Sequence, residues 1–337
     1  MNILVAIKEI KEIEPLSNIG ATEFYCGVKR SNTSSLVFNI NRRCRDDLIF
    51  KCNFVSYDEL KEALEIVHSL DKKIFLTLNE NYTKEQFKQV LKELDQISKI
   101  NLDGLIVTDL NLILELKKNY SNIPIHVSML SAIFNSEAVK FYKELGASRI
   151  IFPRLIFADE LKSIRKNCKN IELETFIDFF IGCPNVEGFC SSIHHLNPLI
   201  PTLCSKEYLY RINSEYEIPP EIESTCRICI IYDYLNIGID SLKLTGREYP
   251  FEFVYISSYM IKKFLDIAKK CESKKTFVKL VYNNMDKVIK NGIKELNSIS
   301  SFKIEKENIF KFKQILKSSI LCRSGNIDLC YFKNEVI

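Results

Sequence analysis

Ile74-Phe-Leu-Thr-Leu-Asn79, Gly104-Leu-Ile-Val-Thr-Asp109 and Pro124-Ile-His-Val-Ser-Met129 are three short apolar runs separated by two stretches of helical length. Runs of this length bounded by turn residues read as buried strands, and the polar-apolar stretches between them as amphipathic helices. Thr83 is placed to cap a helix ending near Ile100, and 111–119 forms the next. Working toward the N-terminus, Ser56 caps a helix over 57–70 with Leu60, Ala63, Leu64 and Val67 on one face. Residues 23–29 and 2–8 are strands, and 11–19 is a short helix that Gly20 ends. Working toward the C-terminus, a helix over 136–145 ends at Gly146, and Arg149 to Arg154 is a strand. A helix over 158–168, a strand from Ile171 to Asp178 and an eighth strand at Ser241 to Leu244 follow. Eight strands alternating with helices predict a closed parallel (β/α)8 barrel of the TIM type. The rival, an open doubly wound sheet, lacks the Gly-rich phosphate loop expected after its first strand.

The chain has 337 residues, 46% hydrophobic, with a net charge of +4 and a pI near 8.3. A large core is therefore available, and the mild charge alone does not announce a nucleic-acid protein. Neither a signal peptide nor a membrane span is expected, and neither is a DNA partner. Twelve cysteines without a secretion signal point to a reducing, cytoplasmic setting, where metal or cluster ligation is favoured over disulfides.

Five of those cysteines, Cys183, Cys190, Cys204, Cys226 and Cys229, lie in the long segment between the seventh and eighth strands. A loop of about fifty residues inside a regular barrel is usually functional. Cys226-Arg-Ile-Cys229 directly precedes a helix ending at Gly238, so two thiolates can reach one metal from a single turn. Four ligands suffice, leaving one of the five spare. The irregular spacing also suits a structural four-thiolate zinc site. Cys26, Cys52, Cys168 and Cys271 read as small buried apolar residues. Cys44, between Arg43 and Arg45, should be a reactive thiol in a basic loop, and no second metal site is expected at Cys322 and Cys330.

In a barrel the active site forms where strands end and βα loops begin. The polar residues there are Lys8, Glu9, Asn79, Glu80, Asp109, His126, Ser128, Arg154, Asp178, Lys243 and Arg247. Arg154, Lys243 and Arg247 converging on one mouth would suit an anionic substrate. His126 and Asp109 would orient it, with His126 as a candidate acid or base.

These residues carry a resemblance. Cys183-x4-Gly188-x-Cys190 and Gly238-x-Asp240-Ser241-x-Lys243-x2-Gly246-Arg247 resemble two motifs of the collagenase-like peptidase family, peptidase family U32. Thr77-Leu-Asn79, Val107-Thr-Asp109-Leu, Pro124-Ile-His126-Val-Ser128, Asn135 to Gly146 and Pro153-Arg154 are similar to its middle section, so the likeness covers residues 1 to 250. There are departures. Asp178-Phe-Phe-Ile-Gly182 replaces a His-Gly-Ala-like turn, Thr245 stands for a Glu, and Leu155 for an acidic residue. Cys204 and Cys226-Arg-Ile-Cys229 replace an Arg-Gly-x-Cys-x2-Pro-Cys stretch, which marks a divergent branch. The resemblance implies a [4Fe–4S] cluster on four of the cysteines, with Cys183 and Cys190 the best-matched ligands. It also implies participation in oxygen-independent hydroxylation of a small aromatic or RNA substrate, with a second family member as a candidate hetero-partner. The alternatives are a protease and a non-catalytic, cluster-bearing subunit.

The barrel is expected to occupy 1–273, including a cysteine-rich insertion at 179–230, with a C-terminal helical cap over 274–337. Helices are predicted at 251–272 and 276–297. The tail from 300 onward has too few clustered cations to serve as a nucleic-acid arm.

Overall fold

The computed structural model describes residues 1–29, 51–154, 156–177, 210–212, 215–217, 225–317 and 321–322; of these, 210–212, 215–217, 225–226, 315–317 and 321–322 are described by backbone alone. Eight strands form a closed parallel barrel: β1 (Asn2–Ala6), β2 (Glu23–Cys26), β3 (Lys73–Leu78), β4 (Leu105–Val107), β5 (Ile125–Val127), β6 (Ala147–Ile151), β7 (Glu172–Phe176) and β8 (Ser241–Leu244). Each strand pairs with its sequence neighbours, and β8 closes the ring on β1 through Asn2↔Ser241 and Leu4↔Lys243. The predicted (β/α)8 architecture is the observed one.

The helices start where the sequence offers caps. In α2 (Tyr57–Ser69) the Ser56 hydroxyl accepts from Glu59 N at 3.1 Å. In α3 (Lys84–Ile97) Thr83 and Gln86 cap each other reciprocally. Asp109 caps α4 (Leu110–Asn119), and Asn135 caps α5 (Ser136–Glu144). The remaining barrel helices are α1 (Ile13–Asn18), α6 (Ala158–Asn167), α7 (Ile231–Ile237) and α8 (Phe251–Ala268). The expected helix over 11–19 divides into a 3-10 turn at Ile10–Glu12 and α1, and the strand expected over 23–29 stops at Cys26. No described helix is long and apolar enough to cross a membrane.

The strands are buried on both faces. Outward residues such as Val5, Phe24, Leu76, Val107, Ile150 and Leu242 join the helices in one continuous core. Inward residues Leu4, Ala6, Tyr25, Phe75, Ile106, Ile151 and Phe176 form a second cluster inside the barrel. Burying each large apolar side chain stabilises the fold by about 1.5–3 kcal/mol.

Two further helices, α9 (Lys274–Leu296) and α10 (Lys306–Lys317), pack outside α8, whose residues 251–261 are all buried. Gly292 permits the close approach of α9, since a Cβ there would lie 3.0 Å from the Tyr259 ring. Phe302 stacks on Phe251 at 3.7 Å between centroids, and Phe312 meets Phe253 edge-on at 5.5 Å.

Candidate active site

Tyr25 and Phe176 point inward near the C-terminal end of the barrel, and three cations gather on their rings. Lys243 Nζ lies 4.2 Å from the Tyr25 centroid and 6.0 Å from that of Phe176. Arg154 Cζ lies 4.1 Å from Phe176, and Arg247 Cζ lies 5.8 Å from Tyr25. Each such contact contributes about 0.5–2 kcal/mol, more where water is excluded. Arg247 is held in place by hydrogen bonds from one nitrogen to Asn53 Oδ1 at 3.0 Å and Thr77 Oγ1 at 3.1 Å. It follows Gly246, where any side chain would collide with Val254: a Cβ would sit 2.6 Å from Cγ2. Lys8 anchors the neighbouring loop by donating to the Tyr249 carbonyl at 2.7 Å. The three cations expected at the mouth therefore do come together.

Below the rings the barrel interior holds an ionic network. Arg149 grips Glu23 with two hydrogen bonds of 2.8 Å, donates to Glu174 at 2.9 Å, and reaches Glu172 at 2.7 Å. Ser241 and Asn2 also donate to Glu23, and Lys243 donates to Glu174 Oε1 at 3.2 Å. Glu23, Arg149, Glu174 and Lys243 are all buried. Burial pushes the Lys243 pKa down, and Glu174 opposes that shift. For Arg149, desolvation is outweighed by the bond to Glu23 and the charges of Glu174, Glu23 and Glu172, which hold its pKa above the ordinary value.

His126 lies at the same depth, paired in register with Ile106 and Arg149, its ring 4.5 Å from Phe75. It is 3% exposed, and its Nδ1 is buried without a hydrogen-bond partner. Burial first, then the charges of Arg149, Lys243 and Lys73, hold its pKa well below 6.5, so it is neutral at pH 7. Asp109, expected to orient substrate, engages two backbone amides instead. One oxygen caps α4 at Leu112 N (2.9 Å), and the other accepts from Tyr82 N (3.1 Å). Its neighbours Asn81, Thr108, Asn111, Ser131 and Tyr142 line an open cavity of about 400 Å³ at the ends of β3 to β5.

The cysteine segment returns to the barrel beside this mouth. Arg227 is buried and donates to the Arg154 carbonyl, and Cys229 sits half-buried on the 3-10 turn Ile228–Ile230 that leads into α7. Cys226 occupies a two-residue strand whose backbone pairs in register with Cys322. Cys183, Cys190 and Cys204 lie outside the described residues, as do Cys44, Cys330 and Asp178. Cys26 is buried, and burial pushes its thiol up to about 12, consistent with a packing role.

Sequence reading did not single out Tyr25, Phe176, Asn53, Glu23, Arg149, Glu174 or Glu12. For the strand residues the available signal was period two: Glu23-x-Tyr25, Arg149-x-Ile151, Glu172-x-Glu174-x-Phe176 and Ser241-x-Lys243 all face one way. Glu12, in the loop after β1, is buried and accepts from Lys8 N at 2.8 Å and Glu9 N at 3.3 Å. Burial pushes its pKa up to about 7.

Comparison with known proteins agrees with this architecture. The profile of peptidase family U32 matches residues 8–307. The tRNA hydroxylation protein P of Haemophilus influenzae is 31% identical over 157 residues, covering 47% of this chain and 34% of that protein. An uncharacterized protease of Methanocaldococcus jannaschii is 24% identical over 288 residues, covering 79% of this chain and 65% of the other. The 23S rRNA 5-hydroxycytidine C2501 synthase of Escherichia coli is 27% identical over 142 residues, covering 41% of this chain and 20% of that enzyme. The chain thus matches about a third of the length of the tRNA hydroxylation protein.

Proposed function

The chain belongs to peptidase family U32, and from that premise we propose that it takes part in hydroxylating a base of RNA. The observation that carries this reading is the convergence of Lys243, Arg154 and Arg247 on the Tyr25 and Phe176 rings. A fixed cluster of cations in a partly dry mouth holds a phosphate or carboxylate group well, because low dielectric strengthens each attraction. The cavity lined by Asn81, Thr108, Asp109, Asn111, Ser131 and Tyr142 offers hydrogen-bonding groups and an aromatic edge to a base. The names of two relatives refer to hydroxylation of tRNA and of an rRNA cytidine, in support of the same reaction class.

Replacing a ring C–H by C–OH removes two electrons, so it requires a hydroxyl donor and an electron acceptor. The three cations are placed to hold an anionic donor. His126, neutral and buried under the mouth, would orient the bound group. Four of Cys183, Cys190, Cys204, Cys226 and Cys229 would hold an iron–sulfur cluster. Of these, Cys229 lies half-buried two residues after Arg227, whose guanidinium donates to the Arg154 carbonyl at the mouth. A bound cluster would supply electron transfer.

The test compares RNA from cells lacking the protein with RNA from cells complemented by wild type or by Arg247→Gln. Nucleoside mass spectrometry is expected to show one nucleoside heavier by one oxygen, restored by wild type alone. Anaerobically purified wild type should carry about four irons and four sulfides, lost in Cys183→Ser and Cys229→Ser. Unchanged nucleosides, together with cleavage of gelatin by the purified chain, would sink the proposal.

A further inference from the structure

The cations outside the mouth are unevenly distributed. Between Lys262 and Lys317 there are fifteen lysines and six carboxylates, whereas the whole chain has 47 Lys and Arg against 43 Asp and Glu. The rest of the molecule is therefore net acidic. Helix α9 concentrates the excess. Lys275, Lys279, Lys287, Lys290 and Lys294 are all exposed, and at 100° per residue they fall within one arc of about 120°. Phe277, Val281, Met285, Val288 and Leu296 occupy the opposite arc and are buried.

Other lysines nearby have acidic partners. Lys274 pairs with Asp233 at 2.6 Å, Lys303 with Glu305 at 2.9 Å and Lys311 with Glu307 at 2.7 Å. None of the five on the exposed face of α9 makes an ion pair with a described residue. Lys275 and Lys279, and likewise Lys290 and Lys294, are like charges four apart, an arrangement that weakens a helix. Folding does not require that repulsion, since any polar residue would keep the face soluble. Asp286 is a single carboxylate in the same arc, and Tyr282 stands 40% exposed among the lysines.

We propose that this lysine face docks the phosphate backbone of a folded RNA whose target base enters the barrel mouth. The inference rests on the RNA reading above and adds where the remainder of the molecule would lie. From Lys275 to Lys294 the face runs about 28 Å at 1.5 Å per residue, long enough to follow several consecutive phosphates. Its N-terminal end is tied to the mouth. The Phe277 ring stacks on Tyr232 at 6.0 Å, and Tyr232 belongs to α7, which follows the turn after Arg227. An anionic membrane would need the helix's apolar side, which is already packed on α8.

The test is the affinity of a transfer-RNA-sized folded RNA, measured by fluorescence anisotropy over a salt series. Three proteins are compared: wild type, a variant with all five lysines changed to Gln, and Arg247→Gln. Each phosphate contact adds roughly 0.7–0.9 to the slope of log affinity against log salt. The five-lysine variant is expected to lose roughly 3.5 to 4.5 units of slope and at least about tenfold in affinity at physiological salt. Its thermal midpoint should stay at or slightly above the wild-type value, since two like-charge pairs are removed, while Arg247→Gln should keep most of the slope. Tight RNA binding by wild type with an unchanged slope in the five-lysine variant would overturn the docking surface and leave the RNA reading standing. No RNA binding by wild type at any salt would overturn both.

Discussion

Arg247 reaches Asn53 and Thr77 through one guanidinium nitrogen, and its guanidinium carbon lies 5.8 Å from the Tyr25 ring centroid. A lysine would keep the charge but lose the fork and the geometry that fixes it. Arg247→Lys should therefore weaken binding of the anionic substrate. A charge-assisted hydrogen bond contributes about 1.5–3 kcal/mol, so KM should rise roughly tenfold or more, with kcat changing less. An equal fall in kcat and kcat/KM would instead place Arg247 in the transition state alone. Glu12 gives a second prediction at this scale. Its pKa rises from 4.5 to about 7 on folding, so between those values the native state binds more protons than the unfolded one. Stability must then fall as pH rises through that window, by about 3 kcal/mol in all. Glu12→Gln cannot ionise and should flatten this part of the curve in urea titrations from pH 4.5 to 7.5. An unchanged slope would show that Glu12 ionises freely in the native state. The three cations were legible in the sequence because barrel geometry marks strand ends as the site. Glu12 was not, because its burial follows from how the loop after β1 folds over it.

At the scale of elements, helix starts were the most legible feature. Ser56 and Thr83 each accept the amide hydrogen bond expected of them, and Asn135, which the sequence reading did not name as a cap, accepts another from Ala138 N. Strand ends were less so, since β4 and β5 have only three paired residues each. Beyond those pairs the chain leaves the ladder at Thr108 and Ser128, because Asp109 and Ser128 turn to cap the helical turns that follow. Asp109 shows how an element can claim a residue that looks chemical. If it acts as the α4 cap, Asp109→Asn should keep the Leu112 bond, because Asn caps as well as Asp, and lose only the bond from Tyr82 N, which a side-chain NH2 cannot accept, at about 1 kcal/mol. Asp109→Ala should cost about 1 kcal/mol, with some further loss from the orphaned Tyr82 amide. Chemical denaturation of the pair measures this directly. Loss of the proposed hydroxylation in a folded Asp109→Asn protein would restore the orienting role. The lysine face of α9 was missed for a related reason. Its five cations span twenty residues of sequence and look sparse in a line, yet the helical period gathers them on one side.

For the molecule as a whole, the alternation of strands and helices gave the closed barrel, but not what fills it. The strands read as buried apolar runs. Inside, β2, β6, β7 and β8 are instead joined by Glu23, Arg149, Glu174 and Lys243. Arg149 lies at the centre of this network and touches carboxylates from two other strands of the ring. Replacing it with Met keeps much of the volume but leaves Glu23 and Glu174 buried with one cation, Lys243, between them. Breaking a buried pair in this way costs about 3–5 kcal/mol, because the stranded charge has no water. Arg149→Met should therefore lower the urea midpoint sharply. Adding Glu23→Gln should restore part of the loss, since the neutral amide can keep its bonds to Ser241 and Asn2 without a charge to compensate. If the double variant is no more stable than Arg149→Met, the loss comes from packing around the missing guanidinium, which stacks 5.0 Å from Phe75, and the network does not close the barrel by charge. Recovery would show that the barrel is shut electrostatically beneath the mouth. The same carboxylate, Glu174, would then both brace the ring of strands and set the charge of Lys243 at the site.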